Sequence, residues 1–386
     1  MTDRTGICGG AMFQSLQATE YSTDELVYAT VKRALQVASL TVGDIDFVVQ
    51  NADDALEGIA IQHVYQVEAA GSFLKQETKL EGEPGRAVAY GLHRLKAGLS
   101  QCVLIVAYGK ASQVDTAALE LMGTDPFFQR PVEATVTALA GLQASEFLKR
   151  TGLTESHLCR SRAIRHGVAV DIVEKSAPVA LPLRKGMLPQ YGDLCVALLL
   201  STGDFAQKKG LSFTAVSGVG LATAAFPFSE FAFWHTAEKA IQDAMQSFTA
   251  RPEESTEEKA SGGVATKDAK ALFRGRTFLE FVDGWAHQEW MLAESLGLLD
   301  TSDPDSYLND GRINTTGPCV YSPPATGAAR ILAAHELLTK EAAKGNEADA
   351  LVISSAGLAS VSSFHLSNRS QTTSLPSSTS YTGAEK

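Results

Sequence analysis

Helical segments with one apolar face alternate along this chain with short, largely apolar strands, and the alternation occurs twice. Residues 22–38 repeat apolar side chains at i+4, and Ser22 with Glu25 forms the capping-box pattern that starts a helix. Residues 45–49 then form a strand, residues 85–97 a second helix and residues 102–107 a second strand. This alternation predicts an α/β protein whose sheet is covered on both faces.

The same order returns in the second half of the chain. After an apolar strand at 193–201, a helical stretch at 233–248 precedes a strand at 278–282, and a helix at 325–338 precedes a strand at 350–354. Sequence identity between the halves is negligible, so only the pattern repeats. We predict an internally duplicated α/β/α architecture.

Two segments fall outside the repeat. Residues 251–270 are charged and rich in Glu, Ser, Thr and Gly, which predicts a mobile surface insertion. Residues 367–386 are dominated by Ser and Thr and have no apolar periodicity, which predicts a disordered tail.

Charge and cysteine usage narrow the class of protein. The chain has 33 basic against 44 acidic groups, which disfavours nucleic-acid binding because phosphate contacts need clustered Lys and Arg. Its apolar runs are far shorter than the ~20 residues that span a membrane. The five cysteines are scattered without a CxxC pair, so we expect neither a disulfide framework nor a metal site. We therefore expect a globular, cytoplasmic protein.

Six segments, in their order and spacing, resemble the thiolase superfamily, in particular the sterol-carrier-protein-type thiolases. The resemblance covers residues 22–366 and implies a thiolase-like fold of duplicated α/β/α layers with five-stranded mixed sheets. It divides the chain into an N-terminal half at 1–205, with a loop subdomain at about 113–190, and a C-terminal half at 206–366. The segments are TDELVYATVKRALQVASLTVGDIDFVV, AGLSQCVLIVAYGKAS, DPFFQRP, EFLKRTGLTESHL, INTTGPCVYSPPATGAARILAAHELL and ALVISSAGLASVSSFHL.

Thiolases cleave or form a C–C bond next to a coenzyme A thioester, with a cysteine nucleophile at a helix N-terminus. Counting back from Gly98 places Glu81 at the nucleophile position, or Gly82 if the register slips by one residue. No cysteine lies between Cys8 and Cys102. The resemblance therefore implies a thiolase-like chain without the acyl-cysteine route.

The other catalytic positions of the family have also changed. Tyr321 stands where the family has a histidine, and Val282 stands at the first position of the family's other acid-pocket motif. The second cysteine falls at Ser354 or Ser355, whereas Gly357 retains a glycine where the family forms an oxyanion hole.

Tyr321 has two interpretations. A phenol can donate to an enolate oxygen or take a proton from a β-hydroxyl, and thiolase-like aldolases use tyrosines at such positions for retro-aldol cleavage. The alternative is that Tyr321 fills the vacated pocket. Glu81 and Glu83 are candidate carboxylate bases at the old nucleophile turn. A helix N-terminus stabilises the charged form of a carboxylate, which favours a capping or solvent-facing role for both.

Further candidates follow the predicted strand at 278–282, at the end where such folds bind ligands. Asp283 is a second candidate catalytic residue, although its counterpart in the family is usually structural. Trp285 and His287 are candidate pocket residues, and His287 is more typical of a surface or helix-cap histidine. Cys319 is the thiol nearest the expected pocket, but no helix N-terminus follows it to activate it.

Two hypotheses of different class remain open. In one, the chain handles a CoA thioester in a multi-subunit complex as a retro-aldol C–C lyase, with no tightly bound cofactor and an OB-fold, zinc-ribbon acyl-CoA-binding partner. In the other, it is a catalytically inactive subunit of a heterodimer with a cysteine-bearing thiolase paralogue, whereas a homodimer would leave any chemistry to this chain. Neither involves nucleic acid or a membrane.

Overall fold

A computed structural model of the chain describes residues 4–18, 20–224, 232–249, 276–358 and 360–369. The elements of the first half, in chain order, are β1 (Thr5–Ser15), α1 (Thr23–Val37), β2 (Phe47–Asn51), α2 (Asp54–Glu57), β3 (Gln76–Leu80), α3 (Gly85–Lys96), β4 (Cys102–Lys110), α4 (Thr116–Met122), α5 (Val136–Thr151), α6 (Glu155–His166), α7 (Val170–Glu174), β5 (Pro178–Ala180), β6 (Leu183–Arg184) and β7 (Asp193–Thr202). Those of the second half are α8 (Gly203–Lys209), β8 (Thr214–Thr223), α9 (Ala232–Thr249), β9 (Thr277–Phe281), α10 (Ala286–Ser295), α11 (Asp305–Leu308), α12 (Thr326–Ala343), β10 (Asp349–Ala356) and β11 (Ser360–Ser367).

Nine strands form one mixed sheet in the order β3-β2-β4-β7-β1-β8-β11-β10-β9. Strand β2 runs parallel to β3 and β4, and β9 runs parallel to β10, whereas the other neighbours are antiparallel. The halves meet where β1 pairs with β8, at Gly6 with Ala215 and Ile7 with Thr214. The sheet is therefore continuous across the duplication.

The first half contributes the five strands predicted for it, whereas the described residues of the second half contribute four strands rather than five. At the outer edge of β9, Asn314 makes three hydrogen bonds. Its backbone N–H donates to Leu279 O at 2.8 Å, and its side-chain oxygen accepts from Phe281 N at 2.8 Å. Its side-chain amide donates to Phe281 O at 3.2 Å. The backbone and side chain of Asn314, together with Arg312 O, which accepts from Leu279 N at 2.9 Å, thus make hydrogen bonds that a further strand would make.

The alternating side chains of the sheet contact helices on both faces. Helices α3 and α12 pack on one face, and α1 and α9 pack on the other. In β10, Ala350 and Val352 face α12, whereas Leu351 and Ile353 belong to the cluster that includes α9. The predicted covered sheet is confirmed.

The chain between β4 and β7 carries α4 to α7 and the β5–β6 hairpin, in the range where the loop subdomain is predicted. The predicted insertion at 251–270 lies outside the described residues, as does most of the predicted tail. The first residue of that predicted segment is ordered, because Ser367 pairs with Asp349 of β10 and belongs to β11. No helix in the described ranges is both long and apolar enough to cross a membrane.

Candidate functional site

The N-termini of α3 and α12 meet at the ends of β2 and β10. Asn51, the last residue of β2, is fully buried, and its side-chain amide donates to Gly82 O at 3.1 Å and to Pro324 O at 2.8 Å. Gly82 lies in the turn before α3, and Pro324 lies in the turn before α12. Asn51 therefore holds together the two turns that carry the predicted site residues.

Glu81, predicted at the nucleophile position, lies at the surface. Its side chain is 55% exposed, and it accepts a hydrogen bond from Lys79 Nζ at 2.7 Å. Lys79 also pairs with Asp54. Glu81 therefore belongs to a surface ion-pair cluster rather than to the interior of the turn.

Glu83 occupies the interior instead and is only 1% exposed. Its Oε1 accepts from Gly85 N at 2.7 Å and from the hydroxyl of Ser354. Its Oε2 has no hydrogen-bond partner among the described residues. Glu83 does cap α3, but a solvent-facing position is wrong for it. Burial raises the pKa of its carboxyl, although these hydrogen bonds oppose the shift.

Two glycines make room for this carboxyl and its neighbours. A Cβ at Gly327, in the first turn of α12, would overlap Ser354 Oγ. A Cβ at Gly85 would overlap Ser362 Oγ and lie 2.9 Å from Glu83 Oε1. The first turns of both helices therefore need glycine, and Ser354, the predicted second-cysteine position, faces Glu83.

Tyr321 lies in an aromatic pocket and is 2% exposed. Its ring stands edge-on to Tyr191 and Trp285, with centroids 5.2 and 5.9 Å away. The phenol oxygen accepts from Gly357 N at 3.2 Å, its one hydrogen bond within the described chain. Burial raises the pKa of Tyr321 to about 12, so the phenol keeps its proton at neutral pH.

A polar network from the chain between β4 and β7, called here the loop segment, lies against this pocket. Tyr191 donates to Glu120 Oε1 at 3.2 Å, and Thr137 Oγ1 donates to the same oxygen at 2.9 Å. Trp285 Nε1 donates in turn to Thr137 Oγ1 at 3.4 Å. The sequence patterns did not single out Tyr191, Glu120 or Thr137, because they converge only through the fold.

Both carboxylate oxygens of Asp283 are bound to side chains of α6. One oxygen pairs with Arg162, and the other lies 2.6 Å from His166 Nε2, both residues on α6. Although burial alone raises the pKa of this carboxyl, Arg162 and His166 hold it well below its usual range. With both oxygens occupied, Asp283 ties the loop segment to the turn after β9 and is not a free acid or base.

His287 is also placed differently from its predicted surface position. It is fully buried near the start of α10, and its Nε2 lies 2.8 Å from Gln143 Oε1. Burial lowers the pKa of His287 to about 3, so the ring is neutral at physiological pH. Its hydrogen bond goes to the loop segment and not to Tyr321.

Cys319 faces a different cavity. It lines a cleft of about 320 Å³ between β1, residues 315–319 and the outer face of α12. Tyr321, Glu83 and Ser354 are absent from that lining. Burial raises the pKa of the thiol, which disfavours the reactive thiolate. In the part of the chain that the structure describes, no three His, Cys, Asp or Glu side chains are grouped as metal ligands.

The whole architecture has counterparts among solved structures. The Ltp2-ChsH2(DUF35) aldolase superposes with a TM-score of 0.73 at 14% identity, covering 95% of this chain and 98% of that one. Human mitochondrial 3-ketoacyl-CoA thiolase superposes with a TM-score of 0.69 at 12% identity, covering 96% and 100%. This chain has the thiolase fold.

Further comparisons agree at the level of the fold. An acetyl-CoA acetyltransferase from Syntrophomonas wolfei superposes with a TM-score of 0.66 at 13% identity, covering 94% of this chain and 98% of that one. The human thiolase solved in complex with CoA superposes with a TM-score of 0.67 at 12% identity, covering 95% and 99%. No family model matches the sequence, and no curated protein matches it.

In this thiolase-fold chain, a carboxyl and a phenol lie near the end of β10. Ser354 faces the buried carboxyl of Glu83, and three residues later the N–H of Gly357 binds the phenol of Tyr321. A neutral phenol is a hydrogen-bond donor to a developing oxyanion, and a buried carboxyl exchanges a proton. The arrangement can carry acid–base chemistry without a covalent intermediate.

Proposed function

We propose that this chain cleaves a β-hydroxyacyl coenzyme A thioester by a retro-aldol reaction and that Tyr321 stabilises the enolate. The observation that carries the proposal is the buried phenol of Tyr321, whose oxygen accepts from Gly357 N and whose proton remains available. A hydrogen-bond donor fixed in a desolvated pocket is the group that a thioester enolate requires. We place this reaction in the cytoplasm and expect no tightly bound cofactor.

The reaction needs no acyl-enzyme. A base takes the β-hydroxyl proton, the Cα–Cβ bond breaks, and the β-carbon leaves as an aldehyde or ketone. The electron pair moves to Cα and is shared with the thioester oxygen, which accepts from Tyr321. A proton then adds to Cα and gives the shortened acyl-CoA, so the reaction requires no redox partner.

A known relative by fold supports this choice. A structure with the same fold, at a TM-score of 0.73, is named as an aldolase, in which one component is the DUF35 protein ChsH2. By analogy we propose that an OB-fold, zinc-ribbon partner delivers the acyl-CoA to this chain. This analogy rests on the shared fold alone, because the sequence identity is 14%.

Turnover tests the proposal directly. The purified chain, alone and with proteins that co-purify from its source, is incubated with β-hydroxyacyl-CoA thioesters of several chain lengths and branching patterns. We expect the shortened acyl-CoA and its carbonyl co-product in equal amounts by liquid chromatography and mass spectrometry. Intact substrate throughout, in both preparations, would contradict the lyase function.

A surface observation favours the second candidate, a structural subunit of a dimer. Strand β3 is an edge strand that pairs only with β2 among the described strands. The chain that leads to it exposes apolar side chains, which are Ile61, Val64, Tyr65, Phe73 and Leu74. Exposed apolar patches and open edges mark association surfaces. We propose that a second copy or a cysteine-bearing thiolase paralogue covers this surface, and native mass spectrometry distinguishes the two.

A further inference from the structure

The carboxyl of Glu83 lies in a buried environment that destabilises the charged form of an acidic side chain. It is buried under the first turns of α3 and α12, and no cation pairs with it among the described hydrogen bonds and ion pairs. Within the described residues its Oε2 and the nearby Ser362 hydroxyl make no hydrogen bond of normal geometry, and although burial raises the pKa of the carboxyl, Ser362 lowers it. Burying an unpaired polar atom costs stability, so such groups concentrate at functional sites.

The partner of Glu83 lies at one of two candidate catalytic positions. The resemblance places the second cysteine at Ser354 or Ser355, and the hydroxyl of Ser354 donates to Glu83 Oε1. The same oxygen is fixed by Gly85 N at 2.7 Å. The carboxylate therefore already accepts from Ser354, which is the arrangement that makes a hydroxyl oxygen able to take up a proton.

Two open turns flank this buried pair along the chain. Gly82 directly precedes Glu83, and Gly357 follows Ser354 by three residues. At both glycines a Cβ would have no neighbouring atom within 4 Å. Both have positive φ, which glycine adopts without strain, whereas Glu83 and Ser354 themselves are 1% and 0% exposed. The N–H of Gly357 also holds Tyr321, which brings the phenol to the same end of β10.

We propose that Ser354 is the residue that takes the substrate's β-hydroxyl proton and that Glu83 is the positioning carboxylate that receives the serine proton. This inference rests on the proposed retro-aldol function. The β-hydroxyl proton passes to Ser354 Oγ as the serine proton passes to Glu83, and the Cα–Cβ bond breaks with its electrons moving to the thioester enolate. The proton on Glu83 returns through Ser354 to Cα, so protons and electrons are conserved and no co-reactant is needed.

Glu83→Gln is the sharpest variant. The glutamine amide oxygen can still accept from Gly85 N and Ser354 Oγ, so the fold is retained, but the amide cannot accept a proton. We expect kcat to fall by about 10²–10⁴-fold and the rising limb of kcat/KM against pH to disappear. Ser354→Ala should lose a similar factor, and Glu83→Asp should retain part of the activity with a shifted pH profile.

Glu81→Gln is the matched control. It removes an acid two residues away that is exposed and paired with Lys79, so kcat should stay within about twofold of the wild-type value. The assay uses the full chain with the β-hydroxyacyl-CoA substrates of the turnover test, and circular dichroism checks the fold of each variant.

The outcomes separate the two proposals. If the wild type turns over and Tyr321→Phe does not, but Glu83→Gln keeps its kcat and its pH profile, the role of Glu83 is wrong and the lyase stands. Suppose instead that Glu83→Gln loses activity, but that both Glu83→Gln and Glu83→Asp keep the pH profile of the wild type. Glu83 then has only a structural role. If the wild type cleaves none of the thioesters, both proposals are wrong.

Discussion

Tyr321 combines a hydrogen bond that holds its oxygen with a proton that it can still give. Removing the hydroxyl in Tyr321→Phe should lower turnover by at least about 100-fold, because the enolate loses its donor in a desolvated pocket. It should cost only about 1–3 kcal/mol of unfolding free energy, since Gly357 N loses its acceptor. Steady-state kinetics and urea unfolding measure the two effects.

Tyr191→Phe is the matched control for that variant. It also removes a phenol, a half-buried one that donates to Glu120, while keeping the ring that packs edge-on against Tyr321. The stability loss should be similar, but turnover should fall by less than about tenfold. Equal losses of turnover in both variants would contradict a specific catalytic role for Tyr321.

Glu83 makes a prediction about stability that does not need a substrate. Its pKa is raised in the folded chain, so the folded state binds this proton more tightly than the unfolded state does. That contribution is fully present below the ordinary glutamate value of 4.5 and is lost as pH rises through the folded pKa. Glu83→Gln should therefore be at least as stable as the wild type at pH 8. As pH falls toward 4, the free energy of unfolding of Glu83→Gln should decrease relative to that of the wild type. Urea unfolding at a series of pH values measures this difference.

At the same scale, the sequence singled out Tyr321 and the pair Ser354 and Ser355, and it placed Glu81 rather than Glu83 at the nucleophile position. Counting along a helix gives the register, yet it does not give the direction of a side chain in the turn before the helix. Glu81 turns outward to Lys79, and Glu83 turns inward to Ser354. The Pro84-Gly85 pair that starts α3 was the one local sign that the residue before it sits at a tight helix entry.

Between elements, the Asp283 ion pair joins α6 to the turn after β9. Asp283→Ala should cost about 3–5 kcal/mol, because Arg162 would remain buried without its counter-charge. The pKa of Asp283 is lowered, so its contribution is present above the ordinary aspartate value of 3.8 and is lost as pH falls through the folded pKa. Chemical unfolding of the wild type and of Asp283→Ala at a series of pH values measures both the stability loss and its pH dependence.

The exposed pair of Asp171 with Lys175 is the control for this ion pair. Asp171→Ala removes the same kind of carboxylate from a solvated helix surface, where ion pairs contribute little. Its unfolding midpoint should not change measurably. A loss at Asp171 as large as that at Asp283 would refute the link between burial and cost.

Elements with a clear apolar period were predicted within a few residues, as α1, α3, β4 and β7 illustrate. Strands β1, β8 and β11 were not predicted, because glycine and serine interrupt their apolar pattern. The glycines of β8 have a packing reason. A Cβ at Gly218 or Gly220 would overlap a backbone carbonyl of α9, so the close approach of helix and sheet forbids larger residues there.

Gly220→Ala should therefore destabilise the second half of the sheet. The added methyl group would overlap Ala240 O, and relieving the overlap should cost about 1–3 kcal/mol. Gly311→Ala is the control, because a Cβ there has no neighbour within 4 Å and its φ lies outside the left-handed region. Thermal unfolding of both variants decides whether the helix–sheet spacing is the cause.

At the scale of the whole molecule, a substitution on the exposed apolar surface beside β3 tests the proposed dimer. Leu74 is 90% exposed, so Leu74→Glu should not affect folding but should weaken association by placing a charge in an apolar interface. Sedimentation velocity should show a shift toward monomer at micromolar concentration. Val37→Glu, an exposed apolar residue at the end of α1, is the control. A chain that is monomeric before any substitution would contradict the dimer proposal.

The two ends of the sheet differ in what they can bind. At the β9 end, Asn314 already satisfies backbone groups that another strand would need, whereas at the β3 end the outer edge has no partner strand among the described residues. An edge whose backbone groups are already satisfied does not readily accept a further strand, so we expect strand addition to occur only through the β3 edge and to stop at two copies.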